Sequence, residues 1–166
     1  MIMKKLLLMM SVLLSLSFFC ACSSDDEIIN VPDGTVILIG DSGLPEDSLI
    51  SQDHAWLIVK AFVLKNQLDR INVYVSQNTI QPKTLIKTLG RDEISPDYES
   101  WLFFIDDMPF GNWSHPCRYV YVNAVGGKYE VLQQSMPPMS MGELFTPLVQ
   151  MPPELIGTFN LKNSVY

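Results

Sequence analysis

In the stretch CRYVYVNAVGGKYEVLQ, two β-rich runs flank the pair Gly126-Gly127. Tight turns that match the twist of paired strands need positive φ, and adjacent glycines supply it at no steric cost, so the pattern predicts a β-hairpin. Further short runs carry the same signature. TVILI (35–39) is apolar and β-branched, and WLFFI (101–105) is aromatic and β-prone. RINVYVS (70–76) alternates, with Ile71, Val73 and Val75 on one side and Arg70, Asn72, Tyr74 and Ser76 on the other. Residues 157–165 read as a last strand.

HAWLIVKAFVL (54–64) is apolar on both alternating sets. That suits a strand covered on both faces, although a buried helix satisfies the same run. TLIKTLG (84–90) fits a strand or one helical turn. SMGELF (140–145) has Ser140 and Glu143 at capping-box spacing, so a short helix is expected there. About seven short strands separated by turn signals predict a mostly β fold. The expected architecture is a single β-sandwich (Ig-like) domain over 34–166, with a small barrel or an α+β domain as alternatives. Residues 136–153, MPPMSMGELFTPLVQMPP, lack a polar face. They read as a strap closing one end of the domain or, if exposed, as an adaptable apolar partner surface.

The N-terminus is of another kind. Lys4 and Lys5 precede an uncharged apolar run over 6–19, which is 14 residues long. A membrane-spanning helix needs about 20 residues, whereas the core of a signal peptide takes about 7–15. The run ends in FCACSSDDE, with Ala21 before Cys22 and two serines after it. This resembles the lipobox of bacterial lipoproteins, departing from it in Phe19, where leucine is usual, and in Cys20, where serine or alanine is usual. The resemblance implies a signal peptide over 1–21, cleavage before Cys22, and lipid on the Cys22 thiol and amine. An ordinary secretory signal would instead show small residues in an A-x-A arrangement, which is missing.

The residues behind that cysteine, Ser23, Ser24, Asp25, Asp26 and Glu27, resemble the export signal of Bacteroidota surface lipoproteins. That resemblance implies an outer-membrane protein displayed on the cell surface, with 22–33 as a lipidated acidic tether. A plain solvated tether would have the same composition.

Loss of Lys4 and Lys5 leaves nine basic and 18 acidic residues, a net charge of −9. A chain so acidic offers phosphates no basic face, so nucleic acid is not an expected partner. The expected membrane contact is through lipid on Cys22. Of three cysteines, Cys20 leaves with the signal and Cys22 is lipidated. Cys117 stands alone and cannot form an internal disulfide.

Candidate chemistry is sparse. Gly40-Asp41-Ser42 after a strand superficially resembles the nucleophile block of SGNH-type esterases. An activated serine, however, needs a histidine base and an orienting acid. Neither His54 nor His115 lies in that family's D-x-x-H element, so Asp41-Ser42-Gly43 reads as a polar turn. Cys117 with His115 or His54 lacks a context that would lower the thiol pKa, and a lone cysteine opening a strand reads as a small buried residue. His54, His115, Cys117 and Asp106 have no spacing that suggests zinc. No catalytic residue, metal site or cofactor is therefore expected.

The segment IDDMPFGNWSHPC links two expected strands and is longer than a hairpin needs. Its Asp106, Asp107, Asn112, Trp113 and His115 form the candidate ligand site, with carboxylates and an amide for sugar hydroxyls and an indole for a sugar face. In the alternative, the aspartates bond their own backbone and Trp113 covers the core edge. The expected function is non-enzymatic binding of an extracellular glycan or protein. An inhibitor or accessory module of a secreted peptidase, or a structural envelope lipoprotein, is the alternative.

Overall fold

Two adjacent strands show why a sheet forms and why both of its faces are covered. In β6 (Ser100–Asp106), Phe103 and Ile105 point to one face, and Leu102 and Phe104 to the other. In β7 (Cys117–Asn123), Val120 and Val122 share the first face, while Cys117, Tyr119 and Tyr121 share the second. All of these are buried. Each large apolar side chain removed from water contributes roughly 1.5–3 kcal/mol, so neither face can stay bare.

The computed structural model describes residues 27–30 and 36–152. The remaining strands are β1 (Glu27–Asn30), β2 (Val36–Gly40), β3 (Asn72–Ser76), β4 (Leu85–Ile86), β5 (Glu93–Ile94), β8 (Tyr129–Gln134) and β9 (Phe145–Val149). Seven of the nine form one antiparallel sheet in the order β1-β2-β8-β7-β6-β3-β9, and β4 and β5 form a small second sheet. The fold is mostly β, as expected, and the large sheet does not close into a barrel. Cys22, Ser23, Ser24, Asp25 and Asp26, together with the strand expected over 157–165, lie outside the described residues. Glu27 was expected within the tether. It instead opens β1, where it pairs with Ile39 of the neighbouring strand.

The run over 54–64, expected as a strand, is helical. Helix α1 (Gln52–Ile58) continues as a π-helical turn, Val59–Val63. Ser51 caps it by accepting from the His54 N–H (3.3 Å), and Asp53 sits favourably in the first turn. Ala55, Ile58 and Val59 recur at helical spacing and are buried against the first face. Trp56 stacks on Phe103 with ring centroids 6.2 Å apart, and Phe62 stacks on Tyr129 at 6.0 Å. Lys65 and Asn66 then take φ of 49° and 60°, which ends the helix.

The second face is covered by Ile80, by Ile86 of β4, and by Met141 and Leu144 of the short helix α2 (Met141–Leu144). Ser140 occupies the N-cap position of α2 without a side-chain capping bond, so the expected capping box is not formed. The methionine- and proline-rich segment, expected as a strap over one end or as a partner surface, packs Met141 and Leu144 on the second face. Met139 N–H bonds to Lys87 O, Leu89 N–H bonds to Pro137 O, and β9 adds to the sheet edge beside β3. A register shift opposite Val73 and Tyr74 puts Phe145 on the second face and Val149 on the first. Pro147 is tolerated because β9 is an edge strand.

The register defines two ends. Gly40, Ser100 and the β7–β8 connection lie at one, with Gly126 and Gly127 at φ of 80° and 69°. Asp106, Cys117 and Gln134 lie at the other. The chain enters β1 at the first end, because Glu27 faces Ile39.

Candidate ligand-binding site

Residues 107–116 connect β6 to β7 at the end away from the β7–β8 turn. Asp106 is the last residue of β6 and faces Cys117. Its Oδ1 accepts from the Met108 N–H (3.0 Å), the kind of bond by which an aspartate shapes its own turn. The same oxygen lies 3.1 Å from Nε2 of His115, at ion-pair distance but off the line of a straight hydrogen bond. The other imidazole nitrogen, Nδ1, is 2.6 Å from the Asn112 carbonyl and so must carry a proton. His115 is further fixed by its backbone N–H to Ser135 O (2.9 Å). Burial pushes the Asp106 carboxyl above the ordinary carboxylate value, against the opposing pull of the Met108 N–H and His115. Asp106 and His115 thus brace the loop from within.

Asp107 turns the other way. Arg118 grips it with a bidentate pair, Nε to Oδ2 at 2.8 Å and Nη2 to Oδ1 at 2.5 Å. This planar fork is the stronger kind of charge-assisted bond. Nη1 of Arg118 also reaches Val63 O (3.5 Å), tying the loop to the end of the π-helical turn. Asp107 and Arg118 line a cleft of about 380 Å3 together with Leu64, Gln67, Asp69 and Arg70. Such a volume lies in the range of small-ligand sites, about 300–1,000 Å3.

Trp113 is 79 % exposed, so it does not cover the core edge. Asn112 and Ser114 beside it are also exposed. Gly111 is required where it stands, because a Cβ there would come within 2.5 Å of the His115 side chain. The structure therefore divides the five candidate residues into three roles. Asp106 and His115 brace the loop, Asp107 lines the cleft, and Asn112 and Trp113 project into solvent. Arg118, Asp69 and Arg70 were not foreseen. Arg118 did leave a signal, being a charge that opens the strand face shared by Val120 and Val122.

The other sequence candidates are resolved by their partners. Gly43 N–H bonds to Asp41 Oδ1 (2.8 Å) with φ of 72° at Gly43, and Ser42 Oγ donates to the Gly126 carbonyl (3.5 Å), so Asp41-Ser42-Gly43 is a polar turn. Cys117 is buried and donates to Met136 O (3.4 Å). Burial, with Asp106 and Asp107 adding to it, pushes its thiol up to about 12, the reverse of an activated thiolate. Cys117 should accordingly react slowly with a thiol reagent in the folded protein and quickly after denaturation. Fast reaction when folded contradicts a structural role. Among the described residues no three His, Cys, Asp or Glu side chains are grouped to hold a metal ion, and no helix is long and apolar enough to cross a membrane. Comparisons with family models, curated proteins and solved structures found no match.

Proposed function

We propose that the protein is a lipid-anchored domain of the outer cell surface that binds an extracellular glycan without chemical turnover. The observation that carries this reading is the pairing of an exposed indole with a polar cleft on one connection. Residues 107–116 supply Trp113 to solvent and Asp107 to the cleft. Sugars present alternating apolar faces and hydroxyl edges. An indole covers the first, and carboxylate–guanidinium pairs with free lone pairs and N–H groups bond the second. The bidentate Asp107–Arg118 pair holds its polar atoms in one geometry, which lowers the ordering cost of binding.

The topology supports the anchoring half of the reading. Glu27 enters the sheet at the end opposite the Asp106–Cys117 pair, so an anchor on Cys22 leaves the binding loop facing away from the bilayer. Two acyl chains suffice for stable attachment. Ser23, Ser24, Asp25, Asp26 and Glu27 then serve as the surface-export signal. Replacing Cys22 with alanine should abolish metabolic labelling by a fatty-acid analogue. Equal labelling of the variant contradicts the anchor.

Met108 (52 % exposed) and Phe110 (40 %) lie on the same loop and favour a second reading, a protein ligand such as a secreted peptidase. An array of neutral and acidic oligosaccharides, probed with the full chain, separates the two. The glycan reading expects signal on at least one sugar class. Silence across the array, with capture by immobilised extracellular proteins, favours the second.

A further inference from the structure

The end of the sheet at which the chain enters carries apolar side chains that no described residue covers. Leu49 is 82 % exposed and forms an antiparallel bridge with Val125, itself 44 % exposed. The Ile50 N–H bonds to Ala124 O (2.9 Å) and the Gly126 N–H to Ser48 O (2.8 Å). These bonds fasten the loop to the β7–β8 turn and hold both side chains outward. Leu44, 41 % exposed, shares a hollow with Val125 and also lines a groove of about 320 Å3 with Leu57 and Phe62. Leu57 is 52 % exposed and Phe62 37 %. Scattered apolar residues on a surface need no explanation, but a connected set at one end does.

We infer that this end of the domain rests on the bilayer that holds the Cys22 lipid, with Leu44, Leu49 and Val125 in the interface. The inference rests on the lipid-anchor reading above. Its geometry comes from chain length. Cys22 stands five positions before Glu27, so even fully extended the link reaches at most about 18 Å. Glu27 pairs with Ile39, next to Gly40, and β1 is three strand spacings from β7, about 14 Å. The apolar end therefore cannot move far from the headgroups. Tethering raises its effective concentration at the surface to the millimolar range, so contacts too weak to hold a free protein suffice. Asp41 and Glu46 border the patch with Lys128. This net negative border disfavours anionic headgroups.

The test uses the full lipid-bearing chain in phosphatidylcholine vesicles, with the lipid first verified by intact mass. A polarity-sensitive fluorophore is placed on Leu49→Cys and, separately, on Trp113→Cys, Cys117 being buried. The label at position 49 should shift to the blue, and doxyl lipids should quench it several-fold more than the label at 113. Equal quenching at both positions in lipid-bearing protein overturns the docking and leaves the anchor standing. A mass without lipid overturns both. A blue shift that depends on protein density rather than on vesicles points to a second copy as the occupant and also overturns the inference. A label on Leu44→Cys should lose its quenching when Leu49→Glu and Val125→Glu are combined, and retained quenching counts against the patch.

Discussion

Phe104→Ala should destabilise the domain by about 3–5 kcal/mol. For a domain of this size that corresponds to a fall in the thermal midpoint of more than about 10 °C. Phe104 is 2 % exposed and stands at the centre of the second face. Its ring meets Tyr119 at 5.4 Å, Tyr74 at 6.0 Å and Phe145 at 6.3 Å between centroids. These partners come from β7, β3 and β9, so the cavity would open between three strands and under the strap at once. Tyr119 and Tyr74 belong to strands paired on both sides, which limits how far they can collapse inward. Leu148→Ala is the control, because Leu148 is 39 % exposed on the edge strand and should change stability by less than about 0.5 kcal/mol. A fall of under 3 °C for Phe104→Ala, read by calorimetry, would show that the second face is not packed as described.

The same residues show what the sequence could reveal and what it could not. The strand around Val73 was legible from its alternation, and those around Phe103 and Val120 from their aromatic and β-branched composition, because both are local properties of the chain. The hairpin was legible from Gly126 and Gly127, although Asn123 N–H closes it on Lys128 O (2.8 Å), making a longer connection than two glycines alone suggest. The run at 54–64 misled because burial on a sheet erases the polar face by which a helix is usually told from a strand. The discriminating signal was outside the run, in the Ser51 cap. β9 was hidden by Pro147, which argues against a central strand but not against an edge. At the candidate site, the loop's position was open to sequence reasoning, but the exposure of Trp113 was not, since an indole covering the core edge fits the same sequence. The Arg118–Asp107 grip and the sharing of its cleft with Asp69 and Arg70 were not either, since they depend on where the helix end and the residues after it approach the sheet.

The binding loop gives the second large effect. Trp113→Ala removes an indole that touches little of the core, so the thermal midpoint should stay within a few degrees of the parent. A buried tryptophan truncated to alanine would instead cost about 3–5 kcal/mol. Binding behaves in the opposite sense. An aromatic anchor at a contact surface typically contributes about 2 kcal/mol or more, so affinity for the ligand should fall at least about tenfold. Stability and affinity therefore separate the two roles open to this residue, and no other substitution in the loop does so as cleanly. Asp106 and His115 brace the backbone, and changes there would alter loop shape together with binding.

The most direct measurement is the signal of Trp113→Ala on the oligosaccharide array, compared with the parent chain at equal folded concentration. The account predicts parent binding to at least one sugar class and a loss of about tenfold or more in the variant, with an unchanged thermal midpoint. Undiminished binding by the variant, or a large fall in its midpoint, would contradict it.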